Sequence, residues 1–255
     1  MDASGNDSLG VLDRMTSILE AFDDADRGLG ISELALRAGL PKSTVSRLVA
    51  TLVRERYLER DGKSIHLGIR LFELGQLAEQ PRELRIAALP VMADLRNTTG
   101  ENVHLALRDG SEMVCIAVMR GRSGAPLTVR TGGRLPMHAT ALGKAVLAHS
   151  SAADVDGILS AELTAWTPQT IVESEPLRRQ LAHIRRGAAA VEVREFAPDV
   201  CCVATAVFDP SRRSVAALSV SGSANGFDFG RSASAVRAAA LALMRRLALT
   251  RPGRV

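Results

Sequence analysis

The spacing of four small or branched residues within positions 31–50 constrains the fold of this chain more than any other feature. Ala35, Gly39, Val45 and Leu48 follow one another at intervals of four, six and three residues. This spacing is typical of a helix-turn-helix, in which a small residue lets two helices approach, glycine makes the turn and branched apolar residues lock the second helix. An ordinary helical hairpin is the alternative, and the residues that follow favour the helix-turn-helix.

The second predicted helix, from about Lys42 to Arg56, carries short polar and cationic side chains on its outward face, which suits base edges and phosphates. Residues 7–33 hold seven acids and two arginines, whereas residues 37–70 hold eight basic residues and three acids. A basic face of this kind is typical of polyanion-binding proteins, although a solvated helix face has the same composition. We expect Arg47 and Ser43–Thr44 to enter the major groove and Lys42 and Arg54 to contact phosphate. The outward-facing residues are Lys42, Ser43, Thr44, Ser46, Arg47, Thr51 and Arg54.

Residues 57–67 predict a β-hairpin that turns at Asp61-Gly62, directly after this helix. Arg60 and Lys63 fall near its tip, where a neighbouring phosphate or the minor groove is within reach. The alternative is a hairpin that only closes the small core, and the two readings are compatible. Arg70, in the helical stretch that follows, completes the predicted DNA-binding set.

The overall composition is that of an ordinary globular protein, with 46% hydrophobic and 24% charged residues in a length of 255. This length fits one large domain or two small ones. No apolar run approaches the roughly 18–20 residues of a membrane helix, and residues 1–8 are polar and acidic, unlike a signal peptide. The three cysteines, two of them adjacent, make no disulfide framework. We therefore expect a protein of the reducing cytoplasm that does not associate with a membrane.

Neither a metal nor an organic cofactor is expected. The five histidines do not pair with one another or with cysteine at metal-ligand spacing. Gly28-Leu29-Gly30 lacks the third glycine and the preceding strand of a dinucleotide-binding loop.

Beyond Pro81 the pattern changes. A linker helix is predicted over residues 82–98, with Leu84, Ala88, Met92 and Leu95 on one face. This stripe is a candidate seam for a homodimer, and the alternative is that it packs on the chain's own C-terminal domain. Short apolar strands are predicted farther on, interspersed with helices, and connections of hairpin length favour an α+β fold with a mostly antiparallel sheet. The predicted strands are 103–107, 113–118, 127–129, 200–208 and 214–220, and the predicted helices are 139–149, 177–186 and 233–249.

Several ordered blocks of sequence, from about Leu9 to Gly222, resemble the IclR family of bacterial transcriptional regulators. The N-terminal blocks are Gly30-Ile31-Ser32-Glu33-Leu34-Ala35, Gly39-Leu40-Pro41-Lys42-Ser43-Thr44-Val45-Ser46-Arg47-Leu48 and Leu67-Gly68-Ile69-Arg70-Leu71. The C-terminal blocks are Gly133-Arg134-Leu135-Pro136-Met137-His138-Ala139-Thr140-Ala141-Leu142-Gly143-Lys144-Ala145, Trp166-Thr167-Pro168-Gln169-Thr170-Ile171, Val200-Cys201-Cys202-Val203-Ala204 and Ala217-Leu218-Ser219-Val220-Ser221-Gly222.

The resemblance implies a winged helix-turn-helix domain over residues 1–80, a linker helix over 81–99 and a GAF-like effector-binding domain over 100–255. It also implies a ligand-responsive regulator, more often a repressor, that senses a small organic or aromatic acid, or an acid derivative, and controls catabolic genes. The expected assembly is a dimer or tetramer on a pseudo-palindromic operator in double-stranded DNA. The effector-binding residues that it implies are Leu127, Leu135, Ala141, Leu142, Glu192, Val200, Cys202, Ser219 and Ser221.

Glu192 sharpens the expected ligand, because its carboxylate would repel a purely anionic effector unless it is protonated. Such a pocket suits a ligand with an acceptor at one end and a donor at the other, and the small Ala188–Ala189 pair leaves room for an aromatic ring. The alternatives are that Glu192 points to solvent or pairs with Arg194. An enzyme that uses Glu192, Cys202 and Ser219 is the rival class of function, although the same residues equally make a binding site. A pure interaction module would leave the pocket blocks unexplained.

Overall fold

The computed structural model describes residues 10–23, 26–123, 125–211 and 213–250. The polar stretch 1–8 and the acidic residue Asp24 lie outside the described residues. The chain divides into two compact units, residues 1–79 and 80–255, and each is described by itself.

The first unit is a helix-turn-helix followed by a hairpin. Gly39 makes the turn with a φ of +64°, a left-handed conformation that glycine adopts without a Cβ clash, and the Leu40 amide donates to the Ala35 carbonyl at 3.0 Å. Val45 and Leu48 are buried against the other helices, as the spacing predicts. The elements are α1 (Val11–Glu20), α2 (Ile31–Arg37), α3 (Lys42–Arg54), β1 (Leu58–Asp61), β2 (Ser64–Leu67) and α4 (Ile69–Gly75).

The hairpin that follows α3 is antiparallel, and its register pairs Leu58 with Leu67 and Asp61 with Ser64. Gly62 turns it with a φ of +56°. Ile65 of β2 is buried and exchanges two backbone hydrogen bonds of 2.9 Å with Leu29, so the hairpin is joined to the loop before α2. It therefore closes the small core and leaves its tip at the surface.

The second unit is a six-stranded antiparallel sheet with helices on both faces. The strand order is β5-β4-β3-β8-β7-β6, and each neighbouring pair is antiparallel. With the helix-turn-helix before it, this sheet confirms the predicted α+β class. The elements are α5 (Glu79–Thr99), β3 (Asn102–Asp109), β4 (Glu112–Met119), β5 (Arg134–Pro136), α6 (Ala141–Leu147), α7 (Ala152–Leu159), α8 (Ser174–Arg185), β6 (Ala190–Val193), β7 (Val200–Phe208), β8 (Ser214–Ser223) and α9 (Phe229–Thr250).

Alternate side chains of the central strands point to opposite faces of the sheet. On one face, Val103 and Leu105 of β3 pack with residues of α5 and α9. On the other face, Ala204 of β7 and Ala217 of β8 pack with α6 and α8. The second face is the one that also carries Ser219 and Cys202, two residues along each strand from these alanines.

The apolar stripe of the predicted linker helix does not form a dimer seam. Leu84, Ala88, Met92 and Leu95 are buried in the core of their own unit. The stripe packs against the apolar side of the unit's own sheet, so its side chains are removed from water within a single chain. Of the two readings of this stripe, packing on the C-terminal domain is therefore the correct one.

The strand predicted at residues 127–129 is also wrong. The free edge of β4 is occupied by the stretch around β5 instead, because Cys115 exchanges backbone hydrogen bonds of 2.9 and 2.7 Å with Gly133 and Gly132. Asn102 holds the irregular segment before it, through a bond of 3.2 Å from its side-chain amide to the Ala125 carbonyl.

Candidate functional site

Helix α3 presents the predicted DNA-binding face to solvent. Its buried stripe is Val45, Leu48, Val49 and Leu52, which turns the opposite side outward. Thr44 and Thr51 are half-buried at the edges of that side. The exposed predicted residues on α3 are Lys42, Ser43, Ser46, Arg47 and Arg54, and those on the hairpin are Arg60 and Lys63.

These basic side chains differ in whether other residues of the protein already contact them. In the part of the chain that the structure describes, Lys42, Arg47, Arg60 and Lys63 form no ion pair, so their charges stay available to a phosphate or a base. The other two members of the predicted set already have protein contacts: Arg54 pairs with Glu55 at 3.0 Å, and Arg70 lies 5.2 Å from the centre of the Tyr57 ring.

The second unit contains a small cavity of about 30 Å³ between the sheet and α6. Eight of the nine residues predicted to bind an effector line it, and they come together from five separate stretches of the chain. They are Leu135, Ala141, Leu142, Glu192, Val200, Cys202, Ser219 and Ser221. The cavity is also lined by His104, Thr128, Val129, Thr140 and Phe196, which the sequence did not single out.

Leu127 is the predicted residue that does not line this cavity. It is half-buried, and its neighbours Thr128 and Val129 contribute to the wall instead. The segment is not a strand, so the side-chain alternation that would place Leu127 on the cavity side is absent there. Ala188 and Ala189 do not line it either, and Ala189 packs on the opposite face of the sheet.

Strand pairing explains why the polar residues meet. His104 is directly opposite Ser219, Ser221 is opposite Cys202, and Cys202 is opposite Glu192. Neighbours across a sheet share a face and lie about 4.5–5.5 Å apart at Cβ. The polar residues therefore lie in two neighbouring rows on one face of the sheet: His104 and Ser219 in one, which continues into Ala204, and Ser221, Cys202 and Glu192 in the other.

Glu192 is buried at the end of this row. Its Oε1 accepts hydrogen bonds from the Glu195 amide at 2.7 Å and the Phe196 amide at 3.3 Å. Burial raises the pKa of the Glu192 carboxyl to about 7, a shift that these two amides oppose. Both alternatives for this residue are wrong: Glu192 is not in solvent, and the Arg194 side chain contacts Asn225 instead, at 3.3 Å.

A buried ion pair lies close to Glu192, and the sequence analysis did not find it. The Lys144 ammonium, which is 0% exposed, donates to both carboxylate oxygens of Glu195 at 2.6 and 2.7 Å. Burial lowers the pKa of Lys144, although Glu195 and Glu192 act against that shift. The hydroxyls of Thr167 and Thr170 hold the same turn by donating to the carbonyls of Arg194 and Glu195, each at 2.6 Å.

Two buried polar atoms on the cavity wall have no nitrogen or oxygen hydrogen-bond partner among the described residues. They are Nε2 of His104, which is 2% exposed, and Oγ of Ser219, which is 0% exposed and makes a weak hydrogen bond with the Cys202 thiol. Burial lowers the pKa of His104 to about 4, so its imidazole is neutral at pH 7. His138 differs, because its Nε2 lies 3.0 Å from the Thr164 carbonyl and the residue does not line the cavity.

Cys202 is not set up as a nucleophile. Its thiol is buried and faces Glu192, and both conditions raise its pKa, burial more strongly. A protonated, buried thiol is inert.

At the cavity wall the Phe196 ring also contacts Trp166, with ring centres 5.1 Å apart and the Trp166 side chain partly exposed.

A larger cavity of about 310 Å³ lies on the opposite face of the sheet, against α5, α9 and the turn between β7 and β8. Its walls include Leu84, Leu107 and Val215, and its rim carries an ion pair of Asp209 and Arg213 at 3.1 Å. None of the predicted effector residues lines it. We place the candidate site in the smaller cavity, because that is where buried polar atoms without nitrogen or oxygen partners converge.

Within the described ranges, no group of three or more histidine, cysteine, aspartate or glutamate side chains has the geometry to hold a metal ion. No helix among the described residues is long and apolar enough to cross a membrane.

Comparisons with known proteins agree with this architecture. Residues 11–62 match the model of the IclR helix-turn-helix domain, and residues 77–245 match that of the C-terminal domain of bacterial IclR transcriptional regulators. The chain is 33% identical over 213 residues to the transcriptional regulator XynR of Escherichia coli, which covers 82% of this chain and 84% of that protein. It is also 33% identical over 220 residues to the transcriptional repressor IclR of Escherichia coli, with coverage of 83% and 79%.

Solved structures give the same result. An IclR homologue from Microbacterium hydrocarbonoxydans, in complex with 4-hydroxybenzoate, superposes with a TM-score of 0.87 at 28% identity and covers 93% of this chain and 99% of its own. The Thermotoga maritima IclR superposes with a TM-score of 0.77 at 28% identity, with coverage of 93% and 98%. The relatives are named as transcriptional regulators and repressors rather than enzymes, and this chain belongs to the IclR family of bacterial transcriptional regulators.

Proposed function

We propose that this regulator is a repressor whose DNA binding responds to a small organic or aromatic acid, or an acid derivative, bound in the second unit, and that it controls catabolic genes. The observation that carries the proposal is that the two units of the chain present two different kinds of binding surface. Exposed, unpaired cations lie on a helix-turn-helix, and buried polar atoms without nitrogen or oxygen partners line a cavity in the other unit. Because its partner is genomic DNA, we place the protein in the bacterial cytoplasm.

For DNA, we propose that Arg47 and Ser43–Thr44 read the major groove, while Lys42 and Arg54 contact phosphate, with Ser46, Arg60, Lys63 and Arg70 at the borders of the surface. An operator can be selected from random duplex DNA with the full-length protein, and its affinity measured by fluorescence anisotropy. Arg47→Ala should cost about 1–3 kcal/mol at the selected site if the contact is to a base. Lys42→Ala should weaken all sequences alike and flatten the salt dependence by about one unit.

The matched control is Arg178→Ala, which removes an exposed arginine of the second unit that pairs with Asp156 at 2.6 Å. It should leave operator affinity unchanged. Unchanged affinity in Arg47→Ala as well would mean that α3 does not read the DNA.

For the effector, the supporting observations are the eight cavity residues and the 4-hydroxybenzoate complex of the Microbacterium relative. A panel of small aliphatic and aromatic acids and their amides should contain compounds that raise the melting temperature. A ligand that binds only the native state adds RT ln(1 + [L]/Kd), about 2.7 kcal/mol at 100 times Kd. The same compounds should change operator affinity. If no acid or amide raises the melting temperature, the proposed class of effector is wrong.

For assembly, we propose a homodimer, because one winged domain makes few DNA contacts and a two-fold protein matches a pseudo-palindromic operator. With the α5 stripe buried in its own unit, the exposed apolar residues of α4 and the turn after it are the better candidate seam. All seven residues of α4 are described and none is buried. Its exposed apolar side chains are Ile69, Phe72 and Leu74, followed by Leu77.

Sedimentation equilibrium of the full-length protein tests this seam. Phe72→Glu, at a side chain 62% exposed, should shift the protein towards monomer and weaken operator binding. Leu241→Glu is the control, because Leu241 is similarly exposed, at 54%, on α9. A wild-type protein that is monomeric at micromolar concentration with full operator affinity would exclude the dimer.

A further inference from the structure

We propose that His104 determines effector specificity, and that with Ser219 it binds a neutral hydroxyl group of the effector, which makes the effector a hydroxy acid rather than a simple acid. This inference rests on the proposed function and names the ligand class of the same cavity.

His104 and Ser219 form an adjacent pair of buried polar side chains on the cavity wall. They are opposite each other on β3 and β8. Nε2 of His104 has no hydrogen-bond partner among the described residues, and Oγ of Ser219 meets there only the Cys202 thiol, a weak hydrogen-bonding group. Nearly all buried polar groups in native proteins are satisfied, so an unsatisfied imidazole nitrogen beside a weakly satisfied hydroxyl on a cavity wall indicates a ligand group.

The charges around the cavity disfavour an anionic group beside His104. Near the cavity there are two carboxyl groups, Glu192 and Glu195, and one ammonium group, that of Lys144. The deeply buried imidazole of His104 is neutral at pH 7 and does not compensate an anion. A carboxylate beside His104 would therefore add negative charge to a region that already has an excess of acids.

The hydrogen-bonding capacity of the two side chains matches a hydroxyl group. A hydroxyl group both donates and accepts, as does the Ser219 hydroxyl, whereas Nε2 of a neutral histidine does one or the other according to its tautomer. A ligand hydroxyl therefore satisfies both protein atoms in either tautomer. A carboxylate only accepts, so it fits one tautomer alone. The bound group that completes this pair is a hydroxyl.

The test compares acids that differ by one hydroxyl, 4-hydroxybenzoate with benzoate and lactate with propionate, by calorimetry on the full-length protein. Wild type should bind at least one hydroxy acid about tenfold more tightly than its parent acid. His104→Met, which removes both nitrogens, should abolish that preference. His104→Gln, whose side-chain amide keeps a polar group near the position of Nε2, should restore much of it.

Melting temperature without ligand gives a readout that a purely structural histidine would not. Since Nε2 is unsatisfied and both variants lack Nδ1, His104→Met should melt a few degrees above His104→Gln, where about 2–4 °C corresponds to 1 kcal/mol for a chain of this size. The control, His138→Met, removes a ring nitrogen that contacts the Thr164 carbonyl, and it should lower the melting temperature.

The outcomes separate this inference from the function on which it rests. Tight binding of simple acids, with no gain from the hydroxyl and no effect of His104→Met, would overturn the role of His104 and leave the proposed effector response intact. A melting temperature of His104→Met below that of His104→Gln would likewise overturn it, because a polar group at the Nε2 position would then contribute to the fold. If no acid binds the wild type, the proposed function fails and this inference falls with it.

Discussion

The two candidate binding regions differ in how far the fold depends on the side chains that would bind. On α3, Lys42 and Arg47 are exposed and form no ion pair with any described residue. Next to the cavity, Lys144 is fully buried and holds both oxygens of Glu195. Polar groups at the surface lose little when their neighbours change, because water replaces them, whereas buried groups depend on one another. Replacing a DNA-contacting side chain should therefore leave the stability of the fold nearly unchanged, whereas replacing a buried polar side chain at the cavity should change it, in either direction.

Among the variants that test this difference, Lys144→Met has the largest expected effect. Removing one partner of a buried ion pair leaves an uncompensated charge and typically costs about 3–5 kcal/mol. Unfolding of the second unit can be followed by fluorescence of Trp166, the single tryptophan of the chain. Lys144→Met/Glu195→Met should regain much of the loss. Arg178→Met, which breaks the exposed pair with Asp156, should cost less than about 1 kcal/mol. A cost below about 1 kcal/mol for Lys144→Met as well would remove the contrast.

Glu192→Gln tests the electrostatic side of the same region. Because the folded-state pKa of Glu192 is about 7, above its ordinary 4.5, the folded protein holds a proton that the unfolded chain loses. Ionising Glu192 in the folded protein therefore costs stability. This free-energy cost is absent below about pH 4.5, grows as pH rises towards 7 and is constant at higher pH, on the order of 3 kcal/mol. Glutamine can still accept from the amides of Glu195 and Phe196. The variant should be more stable than wild type at pH 8 and equal to it near pH 4.5, as measured by urea unfolding. A stability difference that does not vary with pH would contradict the assigned pKa.

A pair of glycines tests the packing. A Cβ on Gly143 of α6 would lie 2.3 Å from the Cα of Met137, whereas a Cβ on Gly157 of α7 would have nothing within 4 Å. Gly143→Ala should therefore destabilise the second unit by about 1–3 kcal/mol through overpacking. Gly157→Ala should stabilise it by about 0.4–1 kcal/mol, because alanine is the better helix former. Circular-dichroism melts of both variants measure this difference, and equal effects would mean that α6 is not tightly packed there.

The smallest effects are expected on the DNA-binding surface. Arg47→Ala and Lys63→Ala remove exposed side chains without an ion-pair partner among the described residues. Each should change the free energy of unfolding by less than about 0.5 kcal/mol. Guanidinium titrations followed by circular dichroism measure this, beside the operator affinities proposed above. A loss of more than about 1 kcal/mol in either variant would show that the surface is part of the fold.

The sequence predicted best what depends on local pattern. The spacing around Gly39 gave the helix-turn-helix, and the motif blocks led to the family, which the comparisons confirmed. Contacts between residues far apart in the chain were harder to predict. Lys144 and Glu195 stand 51 positions apart, and only the turn after β6 brings them together. His104 was not singled out because strand register, which a single sequence does not give, places it opposite Ser219.

The sequence left two readings of the α5 stripe open, a dimer seam or packing on the chain's own domain, for a related reason. A helical stripe such as Leu84, Ala88, Met92 and Leu95 shows that one face is buried, but it does not show against what. The structure gives the surface that it covers, which is the sheet of the same unit. The irregular segment around Leu127 was misassigned because short apolar runs have no distinctive period.

Helix α5 also determines where this chain can be recombined with its relatives. Since its inner face completes the core of the second unit, an exchange of DNA-binding domains that joins two regulators at residue 100 would pair one protein's helix with another's sheet. The methyl and methylene groups along that interface would no longer interdigitate, and hybrids made there should be poorly expressed. A junction before Glu79 keeps helix and sheet from the same parent. Descent within this family should therefore have carried α5 and the effector domain as one inherited block.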